Sequence, residues 1–383
     1  MKNVELIAPC HFGMEAVLKR EIADLGYEIT EVEDGKVTFC GDLSAVCRAN
    51  IFLRTTERVL IKVARFRAET FEELFQGTKN VPWEEYLPEH AKFWVAKANS
   101  IKSKLFSPSD IQSIMKKAMV ERMKSVYHRE RFPEDGPSDA LRVTIIKDIV
   151  TIGIDTSGES LHKRGYRKFT SKAPVTETLA AAILLLSPWK SDRILVDPFC
   201  GSGTFPIEAA MIGAGIAPGA KRSFAAEAWP LIPASLWKQA REEAEAGVKT
   251  DVSLQIQGYD LDPAMIEGAR ENARNAGVES LIHLQVRDVR DLHSTKKYGF
   301  VITNPPYGER LEEKEAMPAL YQEMGKAFRG LDTWSFYILT GYEDAEKHLG
   351  RKADKNRKIY NGMLKTYLYQ FMGPRPPKKP REG

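Results

Sequence analysis

The chain has 383 residues, a length that favours two or three domains over a single core. Its 43% hydrophobic and 28% charged residues are typical of a globular protein, and a net charge of +4 identifies no partner. No run of about 18 apolar residues occurs, and the first residues carry no apolar signal segment, so we expect a cytoplasmic protein without a membrane span. The cysteines, Cys10, Cys40, Cys47 and Cys200, form no Cys-x-x-Cys pair, which predicts reduced thiols and no metal site.

Residues 1–65 alternate between strand and helix patterns. Hydrophobic periodicity and the cap residue Asp42 predict, in order, a strand at 4–8, a helix at 13–25, a strand at 36–39, a helix at 43–51 and a strand at 58–65. This order fits a small α+β module of ferredoxin-like type.

A second module is predicted over residues 66–160, and its main feature is a cluster of cations. A strand at 92–98 and a helix at 111–127 are followed by two strands, 141–146 and 149–154, which pair as a hairpin across Lys147-Asp148. The cations would form one basic surface that contacts RNA phosphates, although a charged helix face often only faces water. They are Lys102, Lys104, Lys116, Lys117 and Arg122.

A basic, glycine-containing segment opens residues 161–190 and precedes an alanine-rich helix. It contains Arg164, Tyr166, Arg167 and Phe169. One interpretation is a linker between domains. The other is a loop that reaches into a nucleic-acid cleft, where Tyr166 and Phe169 stack on bases.

From residue 191 the pattern becomes α/β. A buried strand at 194–196 is followed by the glycine-rich turn 197–204 and a helix at 205–212. The turn lacks the Gly-Lys-Ser/Thr of a phosphate loop, and Pro206 occupies the third glycine position of a dinucleotide motif. S-adenosylmethionine is the remaining candidate, because it needs close backbone contact and a carboxylate but no phosphate cradle.

Further strands of this half also end in polar residues. The strand 254–259 ends at Asp260, which is placed to accept both ribose hydroxyls, and the strand 282–286 precedes Asp288, which would accept from an adenine amine. Asp262 before Pro263 is predicted mainly to cap the next helix. Together with Asp197, these residues predict a ligand site at the carboxyl edge of a parallel sheet.

The strand 300–302 ends at a rigid corner, Asn304-Pro305-Pro306-Tyr307. Two prolines remove two backbone donors, so the corner offers carbonyl acceptors beside an amide and an aromatic ring. An exocyclic amine would donate to the Asn304 side chain and the Pro305 carbonyl while Tyr307 stacks on its ring. A strand that merely ends in a proline turn is the alternative.

Three other stretches of this half are predicted from the pattern. Residues 213–250 are too long for a simple connection, so we expect additional helices that cover the edge of the site, with Trp229 and Trp237 in packing roles. A helix at 318–330, a strand at 334–340 and a hairpin arm at 359–371 follow. The tail 373–383 is rich in proline and basic residues and is predicted to be disordered.

The segments 197–204 and 304–307 together resemble those of class I S-adenosylmethionine-dependent amino-methyltransferases. Over residues 1–372 the chain looks like the THUMP-domain RNA methyltransferases that make N2-methylguanosine, in particular the rRNA large-subunit guanine-N2 enzymes. Further matching segments are Arg164 to Arg167, Ala173-Pro174, Glu177 to Ala181 and Ile359 to Gly362.

The resemblance implies a ferredoxin-like module at 1–65, a THUMP RNA-binding domain at 66–160, a linker and helix at 161–190, and a Rossmann-like methyltransferase domain at 191–372. It implies that the turn 197–204 holds the methionine part of S-adenosylmethionine, Asp260 the ribose and Asp288 the adenine. Asn304 to Tyr307 would hold the target amine and base. The contacts implied in the turn are Asp197, Phe199, Cys200, Gly201, Gly203 and Thr204.

The predicted function is N2-methylation of guanine in 23S rRNA, with RNA as partner and no metal. Three alternatives stay open: a tRNA guanine-N2 methyltransferase, a DNA adenine-N6 methyltransferase, which the corner alone allows, and a ribosome-assembly factor that binds RNA without catalysis. The oligomeric state is not predicted.

Overall fold

The computed structural model describes residues 3–170, 174–308, 311–362 and 364–377. The chain folds into two compact units. The first contains residues 1–10, 19–161 and 222–243, and the second contains residues 11–18, 162–221 and 244–383. Within the described ranges, no helix is both long enough and apolar enough to cross a bilayer.

The first unit contains one seven-stranded sheet with the order β2-β3-β1-β4-β7-β6-β5. All neighbouring strands pair antiparallel except β5 and β6, which are parallel. The N-terminal elements are β1 (Val4–Pro9), α1 (Glu15–Asp24), β2 (Glu28–Glu33), β3 (Lys36–Gly41), α2 (Leu43–Phe52) and β4 (Leu60–Arg67). They are followed by α3 (Phe71–Lys79), β5 (Lys92–Ile101), α4 (Pro108–Tyr127), β6 (Ser138–Ile146) and β7 (Ile149–Asp155).

Local sequence explains several of these boundaries. Asp42 caps α2, as predicted, by accepting a hydrogen bond from the Ser44 amide at 2.9 Å. Lys147 and Asp148 form the predicted β6–β7 turn with φ values of 50° and 65°, which match the right-handed twist of a two-residue hairpin. Ser107 caps α4 and Pro108 follows it, so this helix starts three residues earlier than predicted.

One strand of the first unit was not predicted from the sequence, and one sheet joins its two predicted modules. Strand β2 was missed because it is an edge strand with three glutamates, a residue that is depleted in strands, and none of its residues is buried. The ferredoxin-like and THUMP segments also do not form separate sheets. β4 pairs with β7 from Leu60 to Arg67, so one sheet runs through both segments.

The second unit contains another seven-stranded sheet, ordered β10-β9-β8-β11-β12-β14-β13. The first five strands are parallel, and β14 pairs antiparallel with β12 and β13. Its elements up to the corner are α5 (Glu177–Leu186), β8 (Leu195–Asp197), α6 (Thr204–Gly213), β9 (Ile256–Asp260), α8 (Pro263–Ala276), β10 (Ile282–Val286) and β11 (Phe300–Thr303). They are followed by α9 (Leu311–Arg329), β12 (Ser335–Thr340), α10 (Ala345–Leu349), β13 (Lys355–Asn361) and β14 (Leu364–Phe371).

Helices cover both faces of this sheet, so its central strands are buried throughout. Every residue of β8, β11 and β12 is buried. One core contains residues of α5, α6 and α8, and the other contains Tyr321 and Met324 of α9. This mixed α/β, doubly covered sheet is the predicted Rossmann-like architecture, and it brings the carboxyl ends of the parallel strands to one edge.

The segment 213–250 contains additional helical structure, as predicted. Helix α7 spans Ala234–Ala246, and a short 3-10 helix spans Ala225–Ala228. The middle part of the segment 213–250, residues 222–243, belongs to the first unit. The sequence prediction placed the whole segment at the edge of the ligand site instead. The indole of Trp237 stacks on Phe224 with ring centroids 5.3 Å apart, and Glu243 forms an ion pair with Arg48 at 2.7 Å. Both tryptophans, Trp229 and Trp237, are buried, in agreement with their predicted packing role.

The last elements also extend beyond the prediction. Helix α9 starts at Leu311, seven residues before its predicted start, and includes Pro318. The predicted arm 359–371 contains two strands, with the chain reversing at Gly362, whose φ is 62°. The predicted tail lies partly outside the described residues, which end at 377.

Candidate functional site

A cavity of about 730 Å³ lies at the carboxyl edge of the parallel strands in the second unit. The ends of β8, β9 and β11 supply Asp197, Asp260 and Asn304 to its wall. The rest of the wall includes the glycine-rich turn, the complete corner 304–308 and the apolar side chains Leu261, Met265, Val289 and Leu320. Three of the four strand-end residues predicted from sequence are therefore brought together.

The glycine-rich turn between β8 and α6 has a backbone that only glycine adopts readily. Gly201 and Gly203 have φ values of 50° and 86°. A Cβ atom on Gly203 would lie 3.1 Å from the Cβ of Ala269 on α8, so this glycine also permits close packing of the turn against that helix. The Gly201 amide donates to Asp260 Oδ2 at 3.0 Å, which ties the turn to the end of β9.

Asp197 is the most buried acid of the cavity wall, with 1% of its surface exposed. Its Oδ1 accepts hydrogen bonds from the Thr303 hydroxyl at 2.6 Å and the Phe199 amide at 3.1 Å. Burial raises the pKa of Asp197 to about 7, although Thr303 and the Phe199 amide favour the carboxylate. A cationic ligand group beside this carboxyl would reverse that effect of burial.

Asp260 and Asp262, just before α8, have different roles: one faces the ligand site and the other caps the helix. Asp262 caps α8, as predicted, by accepting from the Ala264 amide at 2.8 Å, and Pro263 takes the first helical position. Asp260 accepts from the amides of Gly201 and Asp262, one on each carboxylate oxygen. Since each oxygen has two lone pairs, Asp260 can still accept from a diol in the cavity.

Asp288 lies at the predicted strand end but does not contribute to the cavity wall. Its carboxylate caps a 3-10 turn through the Arg290 amide at 2.8 Å and also binds the Arg290 guanidinium at 2.9 Å. The Arg290 side chain lowers the pKa of Asp288. The next residue, Val289, lines the cavity instead.

The corner after β11 presents an unsatisfied acceptor to the cavity. Asn304 Oδ1 is buried and has no hydrogen-bond partner among the described residues. A buried amide oxygen without a donor costs free energy, so the site is suited to a ligand that brings an N–H group.

Two residues of other elements hold this corner in place. The Tyr321 hydroxyl on α9 donates to the Pro306 carbonyl at 3.1 Å and lies 2.5 Å from the Thr340 hydroxyl at the end of β12. The Tyr307 ring lies beside Gly341, where an added Cβ would be only 3.1 Å from the ring. These contacts leave the corner little freedom.

The basic segment 164–169 has a different role from the predicted RNA contact. The Arg164 side chain is 2% exposed and lies 3.5 Å from Glu208, and the buried Tyr166 donates to the same carboxylate at 3.1 Å. A buried ring cannot stack on a base, so the predicted stacking of Tyr166 is wrong. Arg167 is largely buried as well. It donates to Thr204 at 2.8 Å and forms an ion pair with Glu177 at 3.0 Å, so it supports the glycine-rich turn from within.

The predicted cationic cluster of the first unit is partly neutralised by carboxylates. Lys104 pairs with Glu69, Lys116 lies 3.1 Å from Glu134, and the Arg122 Nε donates to Glu84 at 3.1 Å. Lys102 and Lys117 are exposed, and neither forms an ion pair with any described residue. Because bound carboxylates reduce the field of these cations, the cluster is a weaker phosphate surface than its sequence indicates.

Sequence reasoning missed some residues of the site. Thr303 was visible as a polar residue at the end of a buried strand, next to Asn304. Tyr321 gave no local signal, because its partner Pro306 is fifteen residues away. Within the described ranges, no group of three or more His, Cys, Asp or Glu side chains is arranged to hold a metal ion.

Comparisons with known proteins agree with this geometry. A family model described as an RMKL-like methyltransferase domain matches residues 164–370. A model of the RlmL ferredoxin-like domain matches residues 5–60, and a THUMP domain model matches residues 68–155.

Curated relatives and solved structures are similar over most of the chain. The "Putative RNA methyltransferase YpsC" of Bacillus subtilis is 47% identical over 386 aligned positions, covering 100% of both chains. The Ribosomal RNA large subunit methyltransferase K/L of Syntrophotalea carbinolica is 36% identical, but the chain spans only 53% of its length. SMU.472, crystallised with S-adenosylhomocysteine, is 47% identical, covers 98% of this chain and 100% of its own, and superposes with a TM-score of 0.91. In this chain, the matches to the ferredoxin-like and THUMP models precede the match to the methyltransferase model. The chain therefore belongs to the RMKL-like methyltransferase family.

Proposed function

We propose that this protein is an S-adenosylmethionine-dependent RNA methyltransferase that forms N2-methylguanosine in the large-subunit rRNA. The observation that carries the proposal is the buried Asn304 Oδ1, which has no hydrogen-bond partner among the described residues, in a cavity also lined by a glycine-rich turn and a buried acid. The names of YpsC and of the K/L enzyme support RNA as the substrate class.

The cavity residues fit S-adenosylmethionine. The left-handed backbone at Gly203 lets the turn approach the cofactor, Asp197 would bind its α-ammonium group, and Asp260 would accept from its ribose hydroxyls. Leu261, Met265 and Val289 offer an apolar surface to the adenine. SMU.472, the similar protein crystallised with S-adenosylhomocysteine, supports this assignment. The bound cofactor would supply an electrophilic methyl group.

The corner would orient the target amine. Asn304 Oδ1 accepts one N–H of the exocyclic amine, the Pro305 carbonyl accepts the other, and Tyr307 stacks on the base. Holding both hydrogens directs the nitrogen lone pair towards the methyl group, so positioning supplies most of the catalysis. The target base would have to leave its stack to reach this corner.

The proposed product, N2-methylguanosine in RNA, depends on two choices: the type of nucleic acid and the base whose amine is methylated. Guanine N2 and adenine N6 are both exocyclic amines, and the corner accepts either. The THUMP domain and the rRNA methyltransferase relative favour RNA over DNA. Guanine is preferred to adenine because the sequence resembles that of enzymes that make N2-methylguanosine. We place the reaction in the cytoplasm, on rRNA, with tRNA as the second candidate.

The decisive experiment measures methyl transfer from labelled S-adenosylmethionine to total RNA from cells that lack the protein. Nucleoside analysis of separated rRNA and tRNA should find the label in N2-methylguanosine of the large-subunit rRNA. Asn304→Ala should lower kcat about 100-fold, because the amine loses its orientation, while the affinity for S-adenosylhomocysteine changes less than about twofold.

Other outcomes select the other functions. Label in N2-methylguanosine of tRNA would move the substrate to tRNA. Label in DNA as N6-methyladenine would contradict the RNA assignment but keep the corner. Binding of S-adenosylhomocysteine without transfer to any nucleic acid would favour a binding factor. Normal turnover by Asn304→Ala would contradict the proposed role of the corner and require a different site for the target base.

A further inference from the structure

The sheet of the first unit has an open face over its last two strands, β6 and β5. On β5, Lys92, Trp94, Lys97, Asn99 and Ile101 alternate with buried residues across a bulge between Val95 and Lys97. Their partners on β6 are Ser138, Ala140, Arg142, Thr144 and Ile146, which are partly or fully exposed. Helix α4 lies against the opposite face, where its Gln112 side chain donates to the Val95 carbonyl at 2.8 Å. We call the exposed side the open β5–β6 face.

The open β5–β6 face is positively charged. Lys92 and Lys97 are exposed, and neither forms an ion pair with a described residue. No Asp or Glu occurs among the β5 and β6 residues of this face. At its margin, the Asp155 carboxylate is shared by Arg142 at 3.0 Å and Arg58 at 2.6 Å, so one negative charge faces two positive charges.

A large aromatic ring lies between the two lysines. Trp94 is 40% exposed although it lies within strand β5, and Ile101 on the same face is 53% exposed. Exposing an indole to water forfeits hydrophobic stabilisation, so a partner is expected for it. Lysines and a bulge on an edge strand also discourage pairing with another strand, but that role does not require the indole.

From these observations we propose that the open β5–β6 face binds single-stranded RNA, with one base stacked on Trp94 and the flanking phosphates on Lys92 and Lys97. The proposal deepens the proposed function, since it names the surface on which the first unit holds the RNA substrate. An aromatic ring between cations on an open sheet is the combination that recognises unpaired nucleotides, whereas a duplex hides its base faces.

The rival surface is the cationic helix side of the same sheet. There Lys116 is paired with Glu134, Arg122 with Glu84 and Lys104 with Glu69. The Nζ atom of Lys116 also lies 3.9 Å from the centroid of the Phe93 ring. An RNA phosphate would have to displace these carboxylates. Lys102 and Lys117 are also exposed without an ion pair to a described residue, but Lys92 and Lys97 in addition flank the exposed Trp94 ring, which is why the open β5–β6 face is favoured.

The test uses the full-length protein and a fluorescein-labelled oligouridylate of about 16 nucleotides, with binding measured by fluorescence anisotropy at several salt concentrations. Trp94→Ala should weaken binding about tenfold, and Trp94→Phe should weaken it less because a ring remains. Lys92→Gln with Lys97→Gln should make the slope of log K against log salt less steep by about 1.4. An RNA duplex of equal length should compete poorly.

Two matched controls are available. Phe71 is 39% exposed, almost the same fraction as Trp94, but begins helix α3, so Phe71→Ala should leave the affinity unchanged. Lys102→Gln with Lys117→Gln removes two exposed cations outside the open β5–β6 face. A loss of affinity in this second pair, with none in Lys92→Gln and Lys97→Gln, would overturn the proposal in favour of the helix side.

Three other results would refute the proposed RNA site. Unchanged affinity in Trp94→Ala would refute the stacking site while methyl transfer by the wild type keeps the proposed function. Absence of oligouridylate binding by the wild type would refute the site as well. Self-association in light scattering that Trp94→Ala abolishes would assign the open β5–β6 face to a second copy of the chain instead.

Discussion

Single atoms distinguish the roles of the polar residues around the cavity. Asn304 Oδ1 has no donor among the described residues, whereas the Asp288 carboxylate binds Arg290, although both residues follow a parallel strand. The type of residue at a strand end was readable from sequence. Whether its oxygen is available depends on neighbours that the fold supplies.

Tyr321 is a positioning residue for the corner, because its hydroxyl binds the Pro306 carbonyl. Tyr321→Phe keeps the ring but removes this hydrogen bond, so kcat for methyl transfer should fall about tenfold, equivalent to roughly 1.4 kcal/mol. S-adenosylhomocysteine affinity, measured by calorimetry, should stay unchanged. The control is Tyr337→Phe, which removes another buried hydroxyl, one that donates to Met372 rather than to the corner. Equal kcat losses in both variants would show a general packing effect.

The Asp197 carboxyl should make cofactor binding depend on pH. Burial raises its pKa to about 7, and the proposed contact with an ammonium group requires the carboxylate. S-adenosylhomocysteine should therefore bind more weakly as the pH falls below about 7, approaching a tenfold loss per pH unit. Calorimetry in buffers of different ionisation enthalpy should detect proton release near neutral pH. A dissociation constant that is flat from pH 6 to pH 8 would contradict the contact.

The same pKa affects the stability of the free protein in a definite direction. The folded pKa lies above the ordinary value of about 3.9, so the folded state binds the proton more tightly than the unfolded state. This contribution to the free energy of unfolding is complete below about pH 4 and is lost as the pH rises through about 7.

At the scale of elements, the segment 164–169 and helix α8 hold the glycine-rich turn together. Asn272 on α8 is fully buried. Its Oδ1 accepts from the amides of Lys168 and Phe169 at 2.9 and 3.2 Å, and its Nδ2 donates to the carbonyls of Phe169 and Ser202 at 2.9 and 3.0 Å. One amide side chain thus connects three segments of the second unit.

Asn272→Ala should lower the free energy of unfolding by about 3 kcal/mol, because it leaves buried donors and acceptors unpaired. It should also weaken S-adenosylhomocysteine binding, since Ser202 belongs to the turn. Asn275→Ala, one turn later on α8, removes a single hydrogen bond to the Tyr166 carbonyl and should cost about 1 kcal/mol. Urea unfolding measures both values, and equal losses would contradict the connecting role of Asn272.

In the whole molecule, one segment belongs to a different unit from the residues that precede and follow it in the chain. Residues 222–243 lie in sequence within the predicted methyltransferase segment 191–372 but belong to the first unit, whereas all described residues of the cavity wall belong to the second. Substitutions in residues 222–243 should therefore lower the stability of the first unit without changing the affinity for the cofactor.

Trp237→Ala removes a buried indole that stacks on Phe224 and should destabilise the first unit by about 4 kcal/mol. Because the cavity wall lies in the second unit, the dissociation constant for S-adenosylhomocysteine should not change. Calorimetry for binding and thermal unfolding with and without the ligand would measure the two effects. A parallel loss of ligand affinity would show that the segment supports the cavity after all.

The local chemistry of this protein can be predicted from residues that are neighbours in the chain. Two prolines remove donors wherever they occur, glycines permit a positive φ, and Asp42 and Asp262 cap the helices that follow them, so the corner, the turn and most parallel strands were predictable. These properties arise from residues close together in the chain. Edge strand β2 was not predicted, because glutamates are rare in strands. Its pairing with β3 stabilises it in the structure.

Which charges and rings remain available to a partner depends on how the fold packs distant segments together. Lys104 meets Glu69, Arg122 meets Glu84, and Tyr166 is buried beside Glu208, each across at least 35 residues of chain. Ion pairing and burial depend on what the fold brings alongside, and local periodicity contains no information about it. For the same reason, only the assembled sheet shows that Trp94 is exposed between two lysines that form no ion pair within the described part of the chain.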